Sequence, residues 1–268
     1  MSKIVSTGKT ISLEEYHKKR VREHRRRVRW WMSGIFILLI ALVFVSRLET
    51  FRISEVAVEG AKVITNDEVK RNVLAALSGK YFWLVPKSNA AVFPREEVAA
   101  SLMKEFPRLA SVELNVEREN TLRVLVTERE PYALYCMDVC YFLDEHGFIF
   151  DTAPDFSGVV YFVYAREVPM ENPSGSQFMP VEEFENLSTF IQDLSKLSFE
   201  PVRLDDYDLT MNNGSRMLLP EKSDLVTLFS NLESFLESET IRSQRNFLDK
   251  VVLLDLRTEN KIFYRFRE

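Results

Sequence analysis

Two pairs of adjacent carboxylates, Glu182-Glu183 and Asp205-Asp206, are the residues whose spacing could support acid–base chemistry. Paired carboxylates act as general acid and base when enzymes cleave glycosidic bonds, including those of cell-wall polysaccharide. Exposed acidic residues are also expected on a chain whose net charge is −5. We therefore interpret both pairs as surface charge, which disfavours an enzymatic function such as wall hydrolysis.

Other motifs for catalysis, phosphate binding or metal binding do not occur in the sequence. The eight glycines are never closer together than 11 residues, so there is no Gly-rich phosphate loop. There is no G-x-S-x-G and no H-E-x-x-H motif. Beyond residue 46 the only histidine is His146, too few for an ordinary zinc site. We expect no catalytic residues, no metal and no cofactor.

The two cysteines, Cys136 and Cys140, lie four residues apart across a tight reversal with the sequence CMDVC. This spacing is compatible with a disulfide. Two free thiols are equally compatible with it, because such a loop need not bring the Cα atoms to bonding geometry. The sequence leaves both states open.

The uncharged run Trp30–Ser46, bordered by Arg29 and Arg47, predicts a single membrane-spanning helix. In lipid every backbone polar group must be satisfied within the segment, which favours a helix. A buried core helix would show a polar face, and a signal peptide would show small residues at a cleavage site; the run shows neither. The predicted membrane anchor comprises Trp30, Trp31, Ile35, Leu38, Leu39 and Leu42, with the two tryptophans at an interface.

The charge distribution predicts the orientation of this helix. Residues 1–29 hold ten Lys/Arg against three Glu, which leaves a net charge of −12 for the rest of the chain. The positive-inside rule places the N-terminus in the cytoplasm and the residues after 46 outside. The basic cluster lies directly beside the membrane, so we expect it to contact anionic lipid and predict no nucleic acid partner.

After the membrane run, hydrophobic periodicity predicts the element order β-α-α-β-β. The elements are a strand over 51–60, a helix opened by the capping box of Thr65 and Glu68, a helix opened by Pro94, and strands over 111–117 and 122–127. Leu74 and Met103 are expected to face the core with their helical neighbours. The aromatic residues of the connector 81–86 are expected to fill a small core.

This order, with the segment fPrLaSVeLnvereNTLrVlVtEReP, resembles a POTRA domain of the FtsQ/DivIB cell-division family. The resemblance is carried by Val58, Gly60, Phe106, Pro107, Val112, Leu114, Asn120, Thr121, Leu122, Val124, Val126, Glu128, Arg129 and Pro131. Glu119 departs from it, because the family usually has proline there. Further on, a hairpin over 141–150 and the triplet Asp255-Leu256-Arg257 resemble the family's β-domain.

The second half is predicted to alternate hairpins and helices. We expect a loop over 165–180, a helix over 181–198, a strand over 202–211 that turns into a strand over 215–219, and a helix capped by Ser223. The fold class is therefore α+β, with one N-terminal transmembrane helix, a POTRA domain and a mostly antiparallel sheet domain. The predicted divisions are 1–29 (basic tail), 30–46 (transmembrane helix), 51–128 (POTRA domain) and 129–268 (β-domain).

The resemblance implies a non-enzymatic division scaffold at the septal cell membrane. It implies that the C-terminal strand receives an FtsB-like subunit whose heterodimer with an FtsL-like subunit completes the complex, which regulates the septal peptidoglycan synthase. The implied partner-binding residues are Arg257, Phe263, Tyr264 and Phe266. Thr258 and Lys261 differ from the residues usual in the family.

One alternative within the binding class is a POTRA-bearing translocation or assembly component anchored in the membrane. Against it, the sequence predicts a single POTRA copy and no repeated strands of the kind that build a membrane barrel.

Overall fold

A 34-residue helix, α1 (Leu13–Ser46), opens the computed structural model, which describes residues 13–117, 120–222, 224–258 and 261–267. An 18-residue window within the segment His24–Ser46 has a mean hydropathy of 2.2, and by length and composition the segment can cross a membrane. The apolar window of this segment is not buried against the rest of the protein, which argues against a core helix. The predicted anchor side chains are exposed on it: Trp30, Trp31, Ile35, Leu38, Leu39 and Leu42.

The predicted order β-α-α-β-β is confirmed after α1, with one short hairpin added in the connector. The elements are β1 (Glu55–Glu59), α2 (Asn66–Ala76), β2 (Lys80–Tyr81), β3 (Val85–Pro86), α3 (Arg95–Glu105), β4 (Leu109–Val116) and β5 (Thr121–Glu128). Strands β1, β5 and β4 form a three-stranded sheet in that order, and β2 pairs with β3.

The capping box that opens α2 is present. The Glu68 carboxylate accepts hydrogen bonds from the Thr65 backbone N–H at 3.1 Å and from its hydroxyl at 2.6 Å. These contacts satisfy donors that the first helical turn leaves without partners. The helix then buries Val69 and Val73, and Leu77, the residue directly after the helix, is buried as well.

Leu74 and Met103 do not face the core as predicted, since 49% and 39% of their surfaces are exposed. Each follows a fully buried residue, Val73 or Leu102, by one position. One helical step rotates a side chain by about 100°, which turns it out of a narrow buried stripe. The buried face of each helix is therefore narrower than its apolar residues alone would suggest.

The prediction for the connector aromatics is wrong: Phe82 and Trp83 are 93% and 88% exposed. Both lie in the turn between β2 and β3, which is closed by a hydrogen bond from the Leu84 N–H to the Tyr81 carbonyl at 2.9 Å. Their φ angles are +45° and +62°. In this tight turn both rings project away from the hairpin into solvent.

A ten-stranded sheet dominates the second half of the chain. Its members are β6 (Ala133–Cys136), β7 (Cys140–Leu143), β8 (Phe148–Thr152), β9 (Val163–Ala165), β10 (Ser176–Gln177), β11 (Pro201–Asp205), β12 (Asp208–Met211), β13 (Arg216–Leu218), β14 (Val251–Asp255) and β15 (Phe263–Phe266). The strand order is β10-β8-β7-β6-β9-β11-β12-β13-β14-β15. Only the β6–β9, β9–β11 and β13–β14 pairs of these strands are parallel. The α+β class with a mostly antiparallel sheet is confirmed.

Helices cover this sheet and supply much of its core. They are α4 (Val181–Asp193), α5 (Leu225–Glu237), α6 (Glu239–Arg242) and α7 (Phe247–Lys250). Phe184 and Leu194 pack with Tyr164 and Leu209 of the sheet, and Leu232 of α5 joins the same cluster. Burial on this scale is the main stabilising term of a domain of this size.

In the second half of the chain one predicted strand is wrong, and one predicted helix cap lies outside the described residues. The strand expected over 202–211 is the hairpin β11–β12, because Asp206 adopts a φ of +49° and reverses the chain. Ser223 lies outside the described residues. The N-cap of α5 is Asp224, whose carboxylate accepts the Val226 N–H at 3.0 Å.

The β7–β8 hairpin predicted from the sequence is present and tightly specified. One oxygen of the buried Asp144 carboxylate accepts the N–H groups of His146 and Phe148, both at 2.9 Å. Gly147 has a φ of +76°, and a Cβ at this position would lie 2.6 Å from the Phe184 ring. Only glycine fits such a position without strain.

Cys136 and Cys140 occupy paired positions on β6 and β7 and form a disulfide. The pair packs with Leu134, Phe142 and Phe150 in a small apolar cluster. The structure thereby selects the bonded state among the two that the sequence left open.

The described chain divides into two compact units. The first holds residues up to 57, 70–98 and 114–124, and the second holds 58–69, 99–113 and the residues from 125 onward. In the second unit, Arg108 is paired with Asp151 at 2.7 Å and Arg129 with Asp144. Both arginine side chains are largely buried, so these pairs hold Arg108 and Arg129 against the β7–β8 hairpin of the same unit.

Candidate functional site

Strand β15 forms one edge of the ten-stranded sheet and pairs only with β14 among the described strands. All four of its residues are exposed. An uncovered edge strand presents backbone N–H and C=O groups that have no partner in the sheet, and such edges recruit strands from other chains. The edge is therefore the first candidate for a binding site.

The register indicates which backbone groups face outward. The Arg267 N–H donates inward to the Lys250 carbonyl at 2.9 Å. Consecutive residues of a strand direct their N–H groups to opposite edges. Tyr264 and Phe266 therefore direct their backbone N–H and C=O groups toward the open edge, where an added strand would pair.

The predicted aromatic residues of β15 divide between the two faces of the sheet. Tyr264 and Phe266 both pack against Phe247 of α7, with ring centroids 5.3 and 5.7 Å apart. Both rings still expose more than a third of their surface. Phe263 projects from the other face and is 54% exposed. The structure thus brings all three residues to the edge.

Arg257 lies just beyond β14 and is held by Asp255 of the same chain. Its Nε donates to Oδ1 at 2.9 Å and its terminal nitrogen donates to Oδ2 at 2.6 Å. These hydrogen bonds lower the pKa of Asp255 below its ordinary value, although partial burial opposes the shift. The arginine side chain stays 59% exposed, so its outer face is accessible.

The edge is basic, whereas residues 30–268 taken together carry a net charge of −12. Residues 250–268 hold five Lys/Arg and three Asp/Glu, whereas the whole chain carries −5. The basic residues are Lys250, Arg257, Lys261, Arg265 and Arg267. Complementary charge raises association rates and selects partners. The edge therefore favours an acidic partner segment.

The carboxylate pairs considered for catalysis have structural contacts. Asp205 is paired with Arg203 at 2.7 Å, and Asp206 accepts the Glu167 N–H at 3.0 Å. Glu182 and Glu183 lie in the first turn of α4, where negative charge stabilises a helix. Asp205 and Asp206 therefore have partners in the fold, and Glu182 and Glu183 occupy positions that stabilise α4.

A groove in the second unit has a volume of about 1190 Å³. It lies between α4 and α5 above β9 and β11, with Tyr164 and Phe190 among its apolar lining residues. Its polar lining includes Glu183 and Asp206, one member of each carboxylate pair. Among the described residues no group of three or more His, Cys, Asp or Glu side chains could hold a metal.

Sequence reasoning identified Arg257 through its family motif but missed that Asp255 is its partner. The signal was available, because in extended chain the side chains of residues two positions apart lie on the same side of the backbone. The motif Arg203-Leu204-Asp205 in β11 shows the same relation, with bonds of 2.8 and 2.7 Å between its arginine and its aspartate. The large groove had no sequence signal, since residues from four separate segments line it.

Comparison with known families agrees with this architecture. Residues 51–129 match the family model of the POTRA domain, FtsQ-type. No curated protein matches the chain. The segment therefore belongs to the FtsQ-type POTRA domains, which supports the resemblance of the chain to the FtsQ/DivIB family. With one apolar helix near the N-terminus in the part of the chain that the structure describes, the protein has the features of a membrane-anchored, division-related protein.

Proposed function

We propose that this protein is a non-enzymatic scaffold of the cell-division machinery that binds a partner strand along β15. The observation that carries this proposal is the position of β15 at the end of the ten-stranded sheet, exposed along its whole length. The FtsQ-type POTRA domain supports a role in division. The partner proposed from the family resemblance is an FtsB-like subunit, joined by an FtsL-like subunit.

The electrostatics of the edge support an acidic partner segment. Arg257 keeps an exposed face while it pairs with Asp255. A carboxylate of the partner can share the guanidinium, which has five N–H donors and uses two on the Asp255 side chain. Phe263, Tyr264 and Phe266 provide aromatic surface on both faces of the added strand.

The proposed location is the cell membrane at the division septum, with the N-terminus in the cytoplasm and the sheet outside. The disulfide between Cys136 and Cys140 supports this orientation, since disulfides persist in oxidising compartments. In this arrangement the scaffold acts on the septal peptidoglycan synthase through its partners, and the lipid bilayer holds the helix α1.

Co-purification of the full-length chain with the FtsB/FtsL-like pair tests the proposal. Arg257→Glu reverses the charge at the edge and is expected to reduce capture strongly. Arg203→Glu is the matched control, because Arg203 makes the same two-point pair with an aspartate two positions away in a central strand. Truncation after Thr258 removes β15 and is expected to abolish capture.

Equal capture by both charge-reversal variants would contradict a site at this edge. Capture that survives truncation would move the binding surface elsewhere in the protein. Absence of any capture by the unchanged chain would favour the translocation or assembly alternative.

A further inference from the structure

The tip of the β2–β3 hairpin presents two aromatic side chains to solvent. Phe82 and Trp83 are 93% and 88% exposed, the highest values for large apolar side chains among the described residues. The next residue, Leu84, is 50% exposed. Contiguous exposed apolar groups of this size mark interaction sites on proteins. We therefore expect a binding partner to cover the tip.

The backbone of the tip is strained. Phe82 and Trp83 adopt φ angles of +45° and +62°, a region that costs free energy for residues with large side chains. A two-residue turn with both angles positive normally carries Asn-Gly. This unfavourable backbone conformation places two aromatic rings at the outermost point of the hairpin.

The hairpin is attached to the end of the apolar helix. Arg47, directly after the segment His24–Ser46, donates from Nε to the Leu84 carbonyl at 3.0 Å. A terminal nitrogen of Arg47 lies 3.4 Å from the Trp83 carbonyl. The first charged residue beyond the span therefore holds the backbone of the aromatic tip.

The base of the hairpin is fixed to the same segment. Asn89 is buried, and its side-chain amide donates to the carbonyl of Ser46, the last residue of α1, at 2.9 Å. The Ile53 N–H donates to the Ser88 carbonyl and the Ala90 N–H donates to the Phe51 carbonyl, each at 2.8 Å. With both tip and base attached, the hairpin keeps its place beside the helix end.

We propose that Phe82 and Trp83 insert into the lipid interface at the outer end of the membrane-spanning helix. Aromatic rings concentrate at the headgroup level of membranes, where an apolar ring and a polar edge are both accommodated. An arginine that closes a span extends toward the same level. The inference rests on the proposed membrane anchor and adds a second contact, which fixes how the chain leaves the bilayer.

A protein surface is the competing occupant for this tip. Lipid is favoured because the attachment to Arg47 and Ser46 places the rings at the end of the span whether or not a partner is bound. Insertion also compensates the strained turn by removing two large rings from water.

Depth-dependent quenching of tryptophan fluorescence tests the proposal with the full-length chain in nanodiscs whose scaffold protein has no tryptophan and which contain no partner protein. The variant Trp30→Phe/Trp31→Phe leaves Trp83 as the only tryptophan. Nitroxide-labelled lipids carry the quencher either near the headgroup or near the chain end. We expect stronger quenching of Trp83 by the shallow label, and less quenching by aqueous acrylamide than for N-acetyltryptophanamide added to the same nanodiscs.

The variant Trp30→Phe/Trp83→Phe, which keeps Trp31, is the matched control for the anchor itself. Lipid quenching of Trp31 without lipid quenching of Trp83 would overturn the proposed insertion and leave the anchor intact. Loss of lipid quenching for both reporters would overturn the anchor as well. Trp83 that is quenched by acrylamide as freely as the reference compound would also contradict insertion.

Discussion

Arg257 is held by Asp255 in a two-point ion pair, so the arginine proposed to meet an acidic partner is already paired within its own chain. A partner carboxylate must compete with Asp255 or share the guanidinium with it. The affinity of the edge therefore depends on the aspartate as well as on the arginine.

The first prediction concerns this competition. Asp255→Asn removes the charge that holds Arg257 and is expected to tighten binding of the FtsB/FtsL-like pair by up to roughly fivefold, given that exposed ion pairs contribute about 0.2–1 kcal/mol. Titration of the full-length chain with the pair measures the dissociation constant. Asp205→Asn is the control, because it breaks the corresponding pair with Arg203 in a central strand. It is expected to leave the dissociation constant unchanged.

The second prediction concerns the buried carboxylate of Glu128. It accepts the backbone N–H groups of Lys62, Val63 and Ile64 at 2.7, 2.9 and 3.0 Å. Burial alone would raise the pKa of Glu128, but these three donors lower it below its ordinary value of 4.5. Glu128→Gln is expected to lower the free energy of unfolding by about 1–3 kcal/mol at neutral pH, measured by urea denaturation.

The pH dependence of this effect follows from the direction of the shift. The pKa of Glu128 is lower in the folded protein than in the unfolded protein. Its carboxylate therefore stabilises the fold fully at pH values above the unfolded-state pKa, and this stabilisation is lost as the pH falls through the folded-state pKa. The difference in free energy of unfolding between the unchanged chain and Glu128→Gln is therefore expected to shrink below about pH 4.5. Glu130→Gln is the control, since Glu130 forms only an exposed pair with Lys62. A constant difference at all pH values would contradict this account.

The third prediction concerns the β7–β8 turn. Gly147→Ala introduces a Cβ 2.6 Å from the Phe184 ring at a φ of +76°. Gly214→Ala has a similar φ of +80° but nothing within 4 Å of its added Cβ. Both changes are expected to cost about 1 kcal/mol or more for the backbone conformation, and Gly147→Ala about 1–3 kcal/mol in addition for the clash. Equal unfolding midpoints for the two variants would show that Phe184 moves aside freely.

The fourth prediction concerns the disulfide. Protein isolated from the membrane and unfolded without reductant is expected to show no thiol that reacts with a thiol reagent, since the chain has only two cysteines. Replacement of both by serine is expected to lower the free energy of unfolding by about 2 kcal/mol, the chain-entropy value for so short a loop. Two reactive thiols would contradict the proposed orientation of the sheet outside the cytoplasm.

Local chemistry made much of the fold predictable from the sequence. The capping box of Thr65 and Glu68 and the Asp144 turn form through contacts within a few residues, and both are present. The apolar segment within α1 was equally predictable, because lipid imposes a strict requirement on length and composition.

Features that depend on distant contacts or on unusual backbone angles escaped prediction. Phe82 and Trp83 adopt positive φ angles that their residue types disfavour, and Asp206 adopts one that aspartate reaches only occasionally, so the hairpins they close had no clear sequence signal. The exposure of Leu74 depends on which neighbouring elements cover α2. At the candidate site, the sequence predicted Arg257 and the terminal aromatics, whereas the number and order of the ten strands could not be predicted.

The fifth prediction tests the central claim, which is that a partner strand adds to the outer edge of β15. Tyr264→Pro removes an N–H directed to the open edge, at a position where an edge strand tolerates proline. Tyr264→Leu keeps that N–H and an apolar side chain beside Phe247. Binding of the FtsB/FtsL-like pair to each full-length variant is measured by titration, with far-ultraviolet circular dichroism to show that both fold.

The account predicts that Tyr264→Pro binds the pair at least about tenfold more weakly than Tyr264→Leu, because one hydrogen bond and the register of the added strand are lost. Equal affinity of the proline and leucine variants would contradict strand addition at this edge.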